Sequence, residues 1–244
     1  MLVKTKVKYI QTLGQKKSRD AEELFIAEGP KIVKELLESK MLQVVELYAT
    51  KEWVEANKKI VVKTSVIEIT GLELERISQL SAPNQVLAII KKPVADTDII
   101  TKGKVIIALD TIRDPGNMGT IIRLADWFGI DQVVCSTDSA DLYNPKVVQA
   151  TMGSIARVKV AYMDLYQWLS QQKDARIYAT ALKGQDVTAM KKLNEGIVVI
   201  GNESKGISAE ILQLATMKIT IPKKGKAESL NAAVATGIIL SHIC

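Results

Sequence analysis

The chain has 244 residues, 47% of them hydrophobic and 25% charged, a profile of a soluble globular protein with room for one large domain or two small ones. No apolar run approaches the ~20 residues of a membrane-spanning helix, and MLVKTKVKYIQTLGQ lacks a signal-peptide core and cleavage site, so a cytoplasmic protein that does not enter a membrane is expected. Two cysteines (Cys135, Cys244) and one histidine (His242) leave out a disulfide framework and most histidine-based metal sites, so no metal is expected, while a net charge of +6 suits a polyanionic partner.

In chain order, residues 1–20 carry Lys4, Lys6, Lys8, Lys16, Lys17 and Arg19 against Asp20 alone, which reads as a solvated surface or a phosphate-contacting segment. LFIAEG and QVVELYAT read as strands around a helix, PKIVKELLES, with Pro30 in its first turn. KKIVVKT and NQVLAIIKK read as further strands, with GLELERISQLS helical between them. Residues 1–92 thus make a small α/β domain. A linker spans 93–104, within KKPVADTDIITKGK, where Pro, Gly and polar residues interrupt any apolar period. The pattern restarts in a second domain, 105–244. KVIIALD, QVVCST, RVKVAY, RIYATAL, GIVVIGN and MKITIP read as strands, and Cys135 as a buried strand residue. Helices are expected at 117–128, about 145–152, 164–173, 208–215 and 228–242. Continuous apolar strands imply a parallel sheet covered on both faces, with a ligand at the carboxyl ends of its strands.

Three strand-to-helix loops in this half hold chemistry-bearing residues. The first is DTIRDPGNMGTIIR. The helix after it buries Met118, Ile121, Ile122, Ala125 and Phe128, and Arg123 lies about 200° round from Ile121. Helical side chains lean toward the N-terminus, so Arg123 reaches back toward the Asp114–Asn117 loop, or else pairs with Asp126 or Asp110 on the surface. Asn117 also suits a plain N-cap. The second loop, VVIGNESKGIS, places Glu203 in a short turn closed by Gly206, with Ser208 as the next N-cap; Ile207 stands where a P-loop needs its lysine, and no G-x-G-x-x-G occurs. The third, ITIPKKGKAESLNAAVATGIILSHIC, carries Lys223, Lys224 and Lys226, then Ser229 and Asn231 opening a helix of small residues.

Together the loops resemble the three motifs of SpoU/TrmH-type RNA ribose 2′-O-methyltransferases of the SPOUT class. Asn117–Arg123 matches N-x-G-x-x-x-R, Gly201–Gly206 matches G-x-E-x-x-G, and Ile221–Asn231 matches I-P-x-x-G-x-x-x-S-L-N. Ala232 departs from the Val that follows the Asn in many members. Residues 13–90 resemble the family's appended substrate-binding domain, akin to a small ribosomal-protein fold. The resemblance implies an α/β protein with a C-terminal parallel-sheet SPOUT domain tied in a trefoil knot. It also implies a homodimer, and S-adenosylmethionine as methyl donor with S-adenosylhomocysteine as product. The donor is expected on Thr180, Ala181, Leu182, Ile200, Gly201, Gly206, Ile221 and Leu230. Arg123, Asn117, Glu203, Ser229 and Asn231 are expected at the reacting ribose. RNA is the implied substrate, ribosomal favoured over transfer RNA; a non-catalytic RNA-binding protein of the same fold is the alternative. Because arginine stays protonated, Arg123 is expected to stabilise the developing alkoxide or hold the adjacent phosphate, with a phosphate oxygen or water taking the proton.

Overall fold

The computed structural model describes residues 2–39, 42–61 and 64–244. They form two compact units, Met1–Val94 with Asp141–Ala156, and Ala95–Ala140 with Arg157–Cys244.

The first unit contains α1 (Lys4–Thr12), α2 (Lys16–Glu22), β1 (Leu24–Glu28), α3 (Pro30–Glu38), β2 (Gln43–Ala49), α4 (Lys51–Ala56), α5 (Lys58–Val61), β3 (Val66–Glu68), α6 (Gly71–Ile77) and β4 (Val86–Lys91). Its sheet runs β1-β4-β2-β3, with β4 antiparallel to both neighbours and β2 parallel to β3. Ile10, Ile26, Tyr48, Ile77, Leu87 and Ile89 pack as one core. Each such side chain withdrawn from water contributes roughly 1.5–3 kcal/mol. Helix α6 opens on a capping box, in which Thr70 accepts from the Glu73 amide and Glu73 accepts from the Thr70 amide.

Two expectations change here. KKIVVKT is not a strand over its described part: Lys58–Val61 is helical, residues 62–63 lie outside the described residues, and the third strand is Val66–Glu68. The β-branched run favours a strand by propensity, but the Asn57 carbonyl accepts from Ile60 and Val61 and winds the segment. The basic N-terminal segment, in turn, is helical and not all of it is free. Lys6 pairs with Glu46 at 2.6 Å. Arg19 is only 2% exposed and donates to the Leu13 and Gly14 carbonyls and to Asp141. That ion pair, with the Phe25 and Tyr143 rings 4.8 Å apart, explains why Asp141–Ala156 packs with this unit. The segment includes α8 (Pro145–Thr151), which packs on β1.

The second unit contains β5 (Val105–Leu109), α7 (Pro115–Trp127), β6 (Gln132–Ser136), β7 (Lys159–Met163), α9 (Leu165–Ser170), β8 (Ile177–Asp186), β9 (Gly196–Ile200), α10 (Ala209–Leu214), β10 (Met217–Thr220) and α11 (Ala232–Ile243). Its sheet is parallel throughout, in the order β10-β8-β9-β5-β6-β7. The continuous apolar strands are buried as expected, Cys135 among them, where burial pushes its thiol pKa up. β8 is longer than RIYATAL and leaves the ladder part-way. Lys218 pairs with Ala179, but the next residue, Ile219, pairs with Gln185. Thr180–Gly184 therefore bulges out of the β8–β10 pairing. A Cβ on Gly184 would lie 2.5 Å from the Lys218 carbonyl oxygen, so only glycine lets the bulge close. The last helix begins at Ala232, not at 228.

Candidate active site

The parallel pairing sets the carboxyl ends of β5, β9, β8 and β10 side by side. Leu109 pairs with Ile200, and Ala179 pairs with both Val199 and Lys218. The loops that leave these ends are the three singled out from the sequence, plus the Thr180–Gly184 bulge.

Asp114 caps α7 by accepting from the Asn117 amide at 2.7 Å, with Pro115 at the first helical position. Asn117 is therefore inside the first turn rather than the cap, and its side chain is left to bridge. Its Nδ2 donates to Glu203 Oε1 at 2.6 Å, and its Oδ1 accepts from Asn231 Nδ2 at 2.9 Å. Asn231 in turn caps α11, its Oδ1 accepting from the Ala233 and Val234 amides. One amide side chain thus joins all three loops. Glu203 uses a carboxylate oxygen on Asn117, a charge-assisted bond of the stronger kind.

Arg123 is exposed on α7. It shares a helix face with Gly116, about 20° away after seven residues, and with Thr120. Its surface partners fail to appear: Asp126 is held by Arg157 through Nε and Nη2, and Asp110 accepts from the Ser208 amide and the Thr111 hydroxyl. Among the described residues, no hydrogen bond or ion pair ties Arg123 down. Ser229 is exposed, and Asn231, not Ser229, is the cap of α11; no bond gathers Ser229 to the other residues. Ser208 stands at the α10 cap position, but its side chain caps nothing. Phe128 is half-buried, less than its helical spacing implied.

Of the residues expected to hold the methyl donor, Ile200 is buried, and Thr180, Ala181, Gly201 and Ile221 are half-buried, while Gly206, Leu182 and Leu230 are exposed. Leu182 is 79% and Leu230 46% exposed. None of these side chains is ionisable. A set of backbone groups with uncovered apolar side chains fits a ligand held by main-chain contacts and an apolar ring, such as an adenosyl group. Gly201 is forced by the fold of its own turn, because a Cβ there would lie 2.4 Å from the Gly206 carbonyl carbon and the Ile207 nitrogen. No cluster of His, Cys, Asp or Glu with the makings of a metal site occurs among the described residues.

Residues 104–241 match the model of the SpoU rRNA methylase family. The chain belongs to the SpoU rRNA methylase family. Residues 4–88 of this SpoU methylase also match the MRM3-like substrate binding domain. It is 29% identical over 241 residues to the 23S rRNA (guanosine(2553)-2′-O)-methyltransferase RlmP of Bacillus subtilis, covering 98% of this chain and 95% of that protein. Among solved structures, it resembles a TrmH-family protein of Porphyromonas gingivalis (34% identity, 99% of this chain and 98% of that one, TM-score 0.86). It also resembles an AdoMet-bound rRNA methyltransferase of Sinorhizobium meliloti (32% identity, 99% and 95%, TM-score 0.85). Sequence reasoning gave Thr111 and Asn202 no part in the site of this SpoU methylase, and it took Asp114 and Asp110 only as surroundings of Arg123, not as the cap of α7 and the acceptor for the Ser208 amide. The signal for Asp114 as a cap is an acidic residue directly before a Pro at a helix start.

Proposed function

We propose that this protein methylates a ribose 2′-hydroxyl of ribosomal RNA in the cytoplasm, at the site built by Asn117, Glu203, Asn231 and Arg123. The enzyme is an S-adenosylmethionine-dependent RNA 2′-O-methyltransferase of the SpoU family. The observation that carries the site assignment is the Glu203–Asn117–Asn231 hydrogen-bond chain, which joins three loops at the start of the helix that carries Arg123, an arginine without a partner among the described residues. The bound donor supplies a methyl group on a sulfonium, open to attack by an oxygen.

The chain's own residues do the rest. A ribose hydroxyl is a weak nucleophile that loses its proton near the transition state. Arg123 remains a cation, so it stabilises the oxygen as negative charge develops, or holds the neighbouring phosphate, while a phosphate oxygen or water accepts the proton. Glu203 and Asn231 act through Asn117 to hold the first-motif helix in place, and Ser229, left uncommitted, is available to the ribose or to the donor. Thr180, Ala181, Leu182, Ile200, Gly201, Gly206, Ile221 and Leu230 hold the donor. The need for a 2′-hydroxyl selects RNA over DNA. Lys4, Lys8, Lys16 and Lys17, exposed on α1 and α2, supply phosphate contacts, as do Lys223, Lys224 and Lys226.

The working unit is a homodimer. Trp127 (81% exposed) on α7 and Val234 (53%) on α11 are uncovered apolar side chains on two helices that pack together, which supports a contact with a second copy, and Trp127 lies on the same stripe as Arg123. A trefoil knot is the family's topology, and it accords with a chain that returns from edge strand β10 to pack α11 on α7.

Methyl mapping of total RNA from a deletion strain and its parent tests the assignment. The expected result is one ribose methyl missing from ribosomal RNA; a missing methyl in transfer RNA would reassign the substrate, and no missing methyl would overturn the reading. In vitro, Arg123→Ala is expected to abolish transfer with donor affinity retained. Wild-type turnover by that variant would refute the role of Arg123.

A further inference from the structure

We propose that Thr111 and Asn202 are positioning residues for this reaction: a threonine held in the left-handed backbone conformation turns its carbonyl to Asn202 and so sets the Glu203 turn against Asn117. The inference rests on the reading of the three loops as the methyl-transfer site.

Thr111 lies two residues beyond the end of β5 and has a φ of 60°. A β-branched residue seldom adopts that conformation, and such residues persist where their surroundings over-determine them. Here every polar group of Thr111 is used. Its amide donates to Ser136 Oγ at 2.8 Å. Its hydroxyl is shared between Asp110 Oδ1 (3.1 Å) and Asp138 Oδ1 (3.3 Å). Its carbonyl accepts from Asn202 Nδ2 at 2.9 Å. Ser136 Oγ also donates to Asp138, at 2.7 Å. Burial raises the pKa of Asp138, but bonds from Ser136, Arg113 and Thr111 outweigh it and hold the carboxyl below its ordinary value, so it remains a charged acceptor.

Asn202 is engaged as fully. Its Oδ1 accepts from the Ser204 and Lys205 amides, and its backbone pairs with Gly206 in both directions. The next residue is Glu203, whose carboxylate meets Asn117. At the far end of the turn, Asp110 Oδ2 accepts from the Ser208 amide at 2.7 Å. The two residues after β5 thus clamp both ends of the turn, Thr111 through Asn202 and Asp110 through Ser208. The first motif's helix starts from this same stretch of chain, so the clamp fixes how Glu203 and Asn117 face each other.

The experiment compares full-length wild type, Asn202→Asp, Thr111→Val and Thr111→Gly. Rates of methyl transfer to RNA, RNA KM and unfolding temperature are measured for each. Asn202→Asp keeps the acceptor that folds the turn, removes the donor to Thr111 and sets a carboxylate oxygen against the Thr111 carbonyl in its place. It is expected to lower kcat about tenfold or more with RNA KM changed by less than about twofold, because geometry rather than substrate affinity is lost. Thr111→Val should lose a similar factor. Thr111→Gly lacks the hydroxyl too, but takes φ near 60° freely, so it should recover most of what Val loses, to within about threefold of wild type. Asn202→Asp or Thr111→Val at the wild-type rate would overturn the proposal. So would Thr111→Gly falling as far as Val, since the hydroxyl bonds rather than the backbone turn would then carry the effect. Should Thr111→Val fail to fold, Asn202→Asp and Thr111→Gly decide alone. A wild type that transfers no methyl to RNA would overturn the site reading and the clamp with it; an active wild type with indifferent variants overturns the clamp only.

Discussion

Asn117 is the residue whose replacement reads out the site most directly, because it both donates and accepts between loops. Asn117→Ala removes its bonds to Glu203 and Asn231. The bond to the Glu203 carboxylate is of the charged kind, worth about 1.5–3 kcal/mol, so transfer should slow by about 10- to 150-fold if that geometry is needed in the transition state. Asn117→Asp is the sharper change. It keeps the acceptor for Asn231 but sets a second carboxylate where the amide nitrogen stood, 2.6 Å from Glu203 Oε1. Two unit charges at that distance repel by about 1.6 kcal/mol in bulk water and about 6 kcal/mol at an effective dielectric of 20. The pair will therefore share a proton, and one of its pKa values rises above the ordinary carboxylate range. A raised carboxyl pKa stabilises the folded arrangement only below it, so the defect should be largest at alkaline pH. The rate relative to wild type should recover as pH falls from about 8 toward about 5, where the shared proton restores a donor. The assay is initial-rate transfer of labelled methyl from S-adenosylmethionine to ribosomal RNA that lacks the modification. An Asn117→Asp rate that parallels wild type across this pH range would refute the claim that the Asn117–Glu203 bond organises catalysis.

Gly201→Ala should weaken donor binding and destabilise the second unit by about 1–3 kcal/mol, since both nearest neighbours of the new Cβ are backbone atoms that cannot turn aside; calorimetric titration with S-adenosylmethionine and a melt check this. The proposed homodimer predicts that Trp127→Glu sediments as a monomer where wild type sediments as a dimer, with transfer falling alongside; a wild type that is itself monomeric refutes the dimer. The Glu73 carboxyl is held down to about 2, first by the Thr70 amide and then by the Leu2 amide. A depressed pKa stabilises the fold above the unfolded value and loses that support as pH falls from about 4.5 to about 2. Thr70→Ala should cost about 1 kcal/mol at neutral pH through the lost cap, yet keep most of the pH dependence in that window, because residue 70 retains the backbone amide that holds Glu73 down, as followed by denaturant melts at several pH values.

Strands were legible where the sheet buries both faces, because water then selects an unbroken apolar run. All of β9, GIVVI, is buried, and its reading from sequence needed no further information. The same rule misleads where apolar β-branched residues sit outside a sheet. In KKIVV the Asn57 carbonyl accepts from two amides and winds Lys58–Val61 into a helix, so a local hydrogen bond decides against propensity. The start of α11 shows a finer limit. Ser229 and Asn231 are both good caps by residue type, and only the two amides that Asn231 accepts distinguish them. The bulge Thr180–Gly184 was hidden for a related reason: it depends on which residue of β10 faces which residue of β8, and register between strands leaves no trace in either strand alone.

The site divides along the same line. Asn117, Arg123, Glu203 and Asn231 stood out because spaced motifs are local patterns. What joins them is not local, since Asn117 meets residues 86 and 114 positions away. Thr111 is the extreme case. A left-handed turn in a sequence is ordinarily flagged by Gly or Asn, and Thr carries no such flag. Its conformation follows from four partners contributed by β5, β6 and the β9 loop together, Asp110, Ser136, Asp138 and Asn202. Residue type at one position therefore underdetermines the backbone there, while the folded sheet determines it. If that is why threonine is tolerated at 111, then glycine should replace it at less cost than valine, although valine is its closest match in shape.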